Sequence, residues 1–119
     1  MKVLFVEYPK CTTCKKALSY LKSQNIEIED RHIVEEVPTV EELTAWIHKS
    51  GLEIKKFFNT SGKLYKEMNL KDQVSTLSLE EAVELLTSNG MLIKRPILVT
   101  EDTVLVGFKQ EAYDEALRK

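Results

Sequence analysis

Long apolar runs, cysteines and concentrated positive charge are scarce in this 119-residue sequence, and each shortage removes a class of function. The longest uninterrupted apolar stretches are only a few residues, far short of the roughly 20 that a membrane-spanning helix requires. No membrane role is expected. Formal net charge is −2, and the basic residues are scattered as pairs such as Lys15-Lys16, Lys55-Lys56 and Lys94-Arg95. Direct nucleic-acid binding, which needs a broad basic face, is therefore not expected, whereas a protein partner on a nucleic-acid machine stays open. Only two cysteines are present, and the N-terminus does not resemble a signal peptide. A reducing, cytoplasmic setting is expected, in which a disulfide is transient chemistry rather than scaffolding. His32 and His48 are the only histidines, too widely spaced for the short loops of a zinc finger, so no metal is expected. With no repeat, no low-complexity linker and 43% hydrophobic residues, residues 1–119 read as a single domain able to bury a core.

Both cysteines lie in one stretch, Lys10-Cys11-Thr12-Thr13-Cys14-Lys15, just after the apolar run Val3-Leu4-Phe5-Val6. Beyond it Cys14, Ala17, Leu18 and Leu21 recur at the three-and-four spacing of one buried helical face. A strand thus delivers Cys11 to a helix start and Cys14 one turn in. The first amides of a helix lack internal partners, and the peptide dipoles add partial positive charge there. That setting favours the thiolate of Cys11, lowering its pKa from a free value of about 8.5. Lys10 and Lys15 act in the same direction, and the free amides with the hydroxyls of Thr12 and Thr13 can cradle an oxyanion beside the sulfur. Cys11 is the candidate nucleophile. Cys14, on the core face, reads equally as its redox partner or as a small buried apolar residue.

The rest of the chain places this stretch in a fold. Ile26 to Ile33 is more polar and alternates, as in a strand nearer a sheet edge, so strand, helix and strand form a parallel pair with a right-handed crossover. A helical block follows, an insert at about residues 38–90. It holds a capping box at Thr39-Val40-Glu41-Glu42 with Val40, Leu43, Trp46 and Ile47 as its apolar face and Gly51 as its end. Short helices are expected at Glu53 to Phe58 and Lys63 to Met68, and a second capping box at Ser78-Leu79-Glu80-Glu81 opens a helix ending at Asn89-Gly90. Pro96 to Thr100 and Thr103 to Gly107 read as a hairpin joined by Glu101-Asp102, and Gln110 to Lys119 as a closing helix. The order is β-α-β, a helical insert, then β-β-α, an α/β thioredoxin-like plan with a mixed four-stranded sheet. Pro96 stands where a proline can take the cis bond and lie against the thiol.

Four segments, spread along nearly the whole chain, resemble the arsenate reductase (ArsC-like) family, which includes Spx-like members. They are Tyr8-Pro9-Lys10-Cys11-Thr12-Thr13-Cys14-Lys15-Lys16-Ala17, Phe58-Asn59-Thr60-Ser61-Gly62, Leu92-Ile93-Lys94-Arg95-Pro96-Ile97 and Val106-Gly107-Phe108. The resemblance implies a thiol-based oxidoreductase in which Cys11 attacks a small oxyanion or a disulfide, Cys14 resolves the product, and Thr12, Thr13, Arg95 and Pro96 shape the substrate site. It implies no bound cofactor, with glutathione, glutaredoxin or thioredoxin as reductant. Ser61 and Lys109 occupy places where the family ordinarily carries arginine, and neither offers the two-pronged guanidinium fork. The paired cysteines resemble the Spx-like members, which implies the alternative of a redox-sensing regulator that binds the RNA polymerase α subunit.

Overall fold

The computed structural model describes residues 2–118, so Lys119, expected at the end of the closing helix, lies outside the described residues. The first strand, β1, spans Lys2–Glu7, and the first helix, α1, spans Thr12–Ser23. Gln24 and Asn25 end α1 as expected, Asn25 taking φ 58°, a left-handed conformation that asparagine tolerates better than most residues. The second strand, β2 (Glu27–His32), runs parallel to β1 in the register Lys2 to Glu27 through Glu7 to His32. None of its side chains is fully buried, which fits its place at the edge of the four-stranded sheet beside β1.

The block that follows β2 is built of helices and short 3-10 turns. Helix α2 (Val40–Ser50) opens on the Thr39/Glu42 capping box and ends at Gly51, whose φ of 70° is the left-handed region that favours glycine. Leu43, Trp46 and Ile47 are buried, but Val40 is 42% exposed. Val40 is the first helical residue, and the cap turns it away from the core that its spacing suggested. A 3-10 turn at Ile54–Phe57, helix α3 (Lys63–Glu67) and helix α4 (Leu79–Ser88) follow, α4 opening on the Ser78/Glu81 capping box. Two backbone hydrogen bonds tie this block to the approach to the third strand: Asn59 N donates to Leu92 O at 2.8 Å and Lys94 N to Phe57 O at 2.8 Å. Phe58 and Ile93 thereby form an isolated antiparallel bridge.

Strands β3 (Ile97–Val99) and β4 (Val104–Val106) are antiparallel, and β3 is antiparallel to β1. Their connection is four residues, not the two expected, because Thr100 closes the loop. Its N–H donates to Thr103 O at 2.9 Å, and its Oγ1 accepts from Thr103 N at 3.0 Å. A threonine side chain does here what an Asn-Gly turn would otherwise do. Helix α5 (Gln110–Leu117) closes the chain with Tyr113 fully buried.

Alternation along β1 divides the core. Val3 and Phe5 point to one face, where Ala17 and Leu21 of α1, Leu98 and Tyr113 enclose them. Val6 points to the other face, into a larger cluster with Leu43, Trp46, Phe57, Phe58 and Leu86 of the helical block. Fully burying side chains of this size contributes roughly 1.5–3 kcal/mol each. The sheet is thus covered on both faces, and the C-terminal end of β1 is held rigidly where the cysteine turn begins.

Candidate functional site

Tyr8 O accepts a hydrogen bond from Cys11 N at 2.9 Å, turning the chain sharply out of β1 and into α1. Cys11 is the N-cap of that helix, in extended backbone conformation, and its sulfur takes the acceptor role that a serine or aspartate side chain usually fills. Cys14 N donates to Cys11 Sγ at 3.4 Å. A negative sulfur is the better acceptor, so the cap and the thiolate support one another.

Burial is the largest influence on the Cys11 thiol and by itself opposes ionisation. The Cys14 amide, the Cys14 thiol and the Arg95 guanidinium together outweigh it and hold the pKa below the usual thiol value. Cys14 shows the reverse. It is fully buried, and that burial, with the adjacent Cys11 sulfur and the Glu7 carboxyl, pushes its thiol up to about 12 against a lowering contribution from the Tyr8 backbone. One sulfur is partly exposed and disposed to ionise, the other sealed and protonated. That asymmetry is what a nucleophile and a resolving thiol require.

Arg95, joined to Pro96 by a cis peptide bond, rests on Tyr8, whose ring centroid lies 5.0 Å from the guanidinium carbon. Its Nη1 is buried and, among the described residues, has no hydrogen-bond partner. Pro96 is buried, and its carbonyl accepts from Gly107 N at 2.8 Å. Thr12 and Thr13 are exposed on the first turn of α1. Cys11, Thr12, Thr13 and Cys14 thus share one turn on which Arg95 acts, while Pro96 immediately precedes the strand whose Ile97 pairs with Val6 of β1.

Ser61 and Lys109 are placed differently. Ser61 is exposed in the turn before α3. Lys109 is the N-cap residue of α5 and lines a cavity of about 730 Å³ with Lys55, Lys56 and Lys94, whereas Arg95 lines a smaller one of about 290 Å³ with Asn59, Lys63 and Asn89. Among the described residues, no three histidine, cysteine, aspartate or glutamate side chains converge as metal ligands. No helix among them is long and apolar enough to cross a membrane.

Two residues near the sulfurs were not singled out from sequence. Tyr8 reads there only as a strand terminator, yet it supplies the aromatic face under Arg95. Glu7 is a charged residue only 4% exposed at the end of β1. Its signal is an acid closing an apolar strand four residues before a reactive cysteine.

The family model for ArsC matches residues 6–116, from the end of β1 through α5. The chain belongs to the ArsC family. Among proteins similar to this ArsC-family chain, the uncharacterized protein YusI of Bacillus subtilis is 50% identical over 97% of this chain and 98% of its own. The global transcriptional regulator Spx of Enterococcus faecalis is 30% identical over 87% of this chain and 76% of its own. Among solved structures, an ArsC-family-related protein of Bacteroides fragilis superposes with a TM-score of 0.93 at 55% identity, covering 97% of both chains. A possible arsenate reductase of Streptococcus mutans superposes with a TM-score of 0.87 at 43% identity, covering 94% of this chain and 97% of its own. The thioredoxin-like plan with its helical insert is the fold of this group, and the chain is a thiol-bearing ArsC-like protein.

Proposed function

We propose that this protein is a thiol–disulfide oxidoreductase in which Cys11 attacks and Cys14 resolves. The observation that carries the reading is the fully buried Cys14 one helical turn from Cys11, its own amide donating to the Cys11 sulfur at 3.4 Å. The Cys11 thiolate attacks one sulfur of a disulfide RS–SR, forming a mixed disulfide and releasing RS⁻. Cys14 then attacks Cys11 Sγ, forming the Cys11–Cys14 disulfide and releasing the second RS⁻ as its own proton leaves. Two electrons pass from the protein to the substrate. A dithiol of the thioredoxin or glutaredoxin class, or two glutathione molecules, returns them.

Arg95 supports an anionic substrate or leaving group, because its guanidinium acts on the Cys11 thiol while its buried Nη1 has no hydrogen-bond partner among the described residues. Departing thiolates and small oxyanions both meet that description. With Ser61 exposed and Lys109 lining another cavity, the arginine fork at the sulfur is supplied by Arg95, which favours a disulfide over a tetrahedral oxyanion needing several such forks. The experiment is turnover of a low-molecular-weight disulfide with thioredoxin, glutaredoxin or glutathione as electron source. Catalytic turnover that is lost in Cys11→Ser supports the reading; no turnover with any of the three overturns it.

A second reading is favoured by the likeness to Spx and by the cysteine pair: a regulator whose disulfide alters binding to the RNA polymerase α subunit. Capture of purified α subunit by only one redox state of the protein would select it.

A further inference from the structure

Cys14 cannot lose its proton to water, because it is fully buried. Its resolving step therefore needs a base inside the protein. The ionisable groups that act on its sulfur are Cys11, Glu7 and, across the face covered by α1 and α5, Tyr113. In a mixed disulfide Cys11 is no base. Tyr113 is committed as a donor, its hydroxyl bonding Gly107 O at 3.0 Å. Glu7 is left.

We propose that Glu7 takes the thiol proton of Cys14 as Cys14 attacks a mixed disulfide at Cys11, with Asp30 relaying that proton to solvent. The register sets up the cluster. Val3 and Phe5 point under α1, so Glu7, two residues beyond Phe5, points there too, toward the turn that carries both cysteines. Asp30 pairs with Phe5 across the parallel β1–β2 ladder, so it shares that face one diagonal step from Glu7, where its carboxyl helps to hold the proton on Glu7. Asp30 is exposed, which gives the buried carboxyl an outlet. Lys22 of α1 also acts on Glu7 and favours its charge. His32, opposite Glu7 in the register, is turned aside, its Nδ1 accepting from the amides of Val34 and Glu35 and its ring edge on Tyr8.

The charge coupling gives the sequence of events. While Cys11 is a thiolate, burial, Asp30 and that thiolate all hold the proton on Glu7, pushing it up to about 8. Once Cys11 is tied to substrate its charge is gone, and Glu7 releases its proton through Asp30 more readily. The carboxylate then accepts the Cys14 proton, the Cys14–Cys11 bond forms, the Cys11–SR bond breaks, and RS⁻ departs with the electron pair. A base thus becomes available at the stage that needs one.

The inference rests on Cys14 being the resolving thiol, and the test separates the two. With an aromatic disulfide such as 5,5′-dithiobis(2-nitrobenzoate), attack by Cys11 releases one coloured thiolate and resolution by Cys14 a second. Glu7→Gln keeps the size of the side chain and a donor for Asp30 but cannot take a proton. The second release is expected to slow by about tenfold or more, within or below the usual range for loss of a general base, and to lose its pH dependence below pH 8. Glu7→Asp should restore part of the rate. A second phase unchanged in rate and pH profile in Glu7→Gln overturns the inference. Release of both equivalents by Cys14→Ser instead overturns the underlying reading. If Glu7→Gln does not fold, the native protein decides: a second phase with its midpoint at or below about 8 supports Glu7, and one rising only toward the Cys14 value of about 12 overturns it.

Discussion

The guanidinium of Arg95 sits over the face of Tyr8, 5.0 Å from the ring centroid, and from there reaches the Cys11 sulfur. An aromatic shelf therefore fixes the cation that helps ionise the thiol. Arg95→Ala should raise the Cys11 pKa, through loss of a neighbouring opposite charge, and slow alkylation below that pKa. Tyr8→Ala should move it the same way by less, through loss of the shelf. The check is the pH dependence of iodoacetamide labelling, and an unmoved midpoint in Arg95→Ala would remove arginine from the account.

Cys14 at about 12 and Cys11 below the ordinary thiol value imply selective chemistry at neutral pH. A brief pulse of alkylating reagent at pH 7 should modify Cys11 alone. Cys11→Ser should abolish mixed-disulfide formation, and Cys14→Ser should trap it as a stable adduct with one equivalent of substrate thiol. Intact-mass spectrometry reads all three, and equal labelling of the two single mutants would count against this assignment of roles.

Glu7 also ties stability to pH. Its folded-state pKa, about 8, lies above the unfolded value near 4.5, so the fold binds a proton that the unfolded chain has lost between those pH values. This contribution is full below pH about 4.5, declines as pH rises toward 8, and changes little above. Glu7→Gln should remove the decline and gain on the order of 1–3 kcal/mol over the native protein at pH 8. Urea unfolding at pH 5 and 8 measures it; parallel curves for the two proteins would count against a buried, proton-holding Glu7.

Arg31 anchors the helical block to the end of β2 through a two-pronged pair with Glu42, at 2.7 and 2.8 Å, while its Nε donates to Glu36 O at 2.9 Å. The hydrogen bond from Arg31 is the chief reason the Glu42 pKa falls below the usual carboxylate value, with the Thr39 cap adding to it against burial. A depressed acid contributes stability above its unfolded pKa and loses it as pH falls through the folded one. Glu42→Gln should cost about 1 kcal/mol at pH 7, no more because the pair is partly open to solvent, and the difference should shrink below pH 4. Thermal unfolding across that range is the measurement.

Gly90 is required by close approach. A Cβ placed there would run into the backbone carbonyl of Ile33 and the Cα of Val34. Gly90→Ala should destabilise the fold by roughly 1–3 kcal/mol, as overpacking against rigid backbone does. A urea midpoint equal to that of the native protein would show that the Ile33 segment yields.

The two capping boxes, the cysteine turn and the order of strands could be read from the chain because each is a local pattern with a local cause. Thr39 and Glu42, or Ser78 and Glu81, meet three residues apart whatever the rest of the fold does. What was not legible depends on side-chain geometry or on distant partners. The wider hairpin follows from the Thr100 side chain, Val40 is exposed because the cap sets its direction, and Glu7 matters because parallel pairing brings Asp30 to it. Arg95 could be placed beside the thiol by its motif, but its aromatic support could not, since nothing near Tyr8 in sequence names Arg95 as its neighbour.

The bridge between Phe58 and Ile93, with Lys94 N on Phe57 O, grips the residue immediately before Arg95. The helical block and the sulfur are therefore mechanically in series. A displacement of the block that carried Lys94 with it would move the neighbouring cation and so alter the acidity of Cys11.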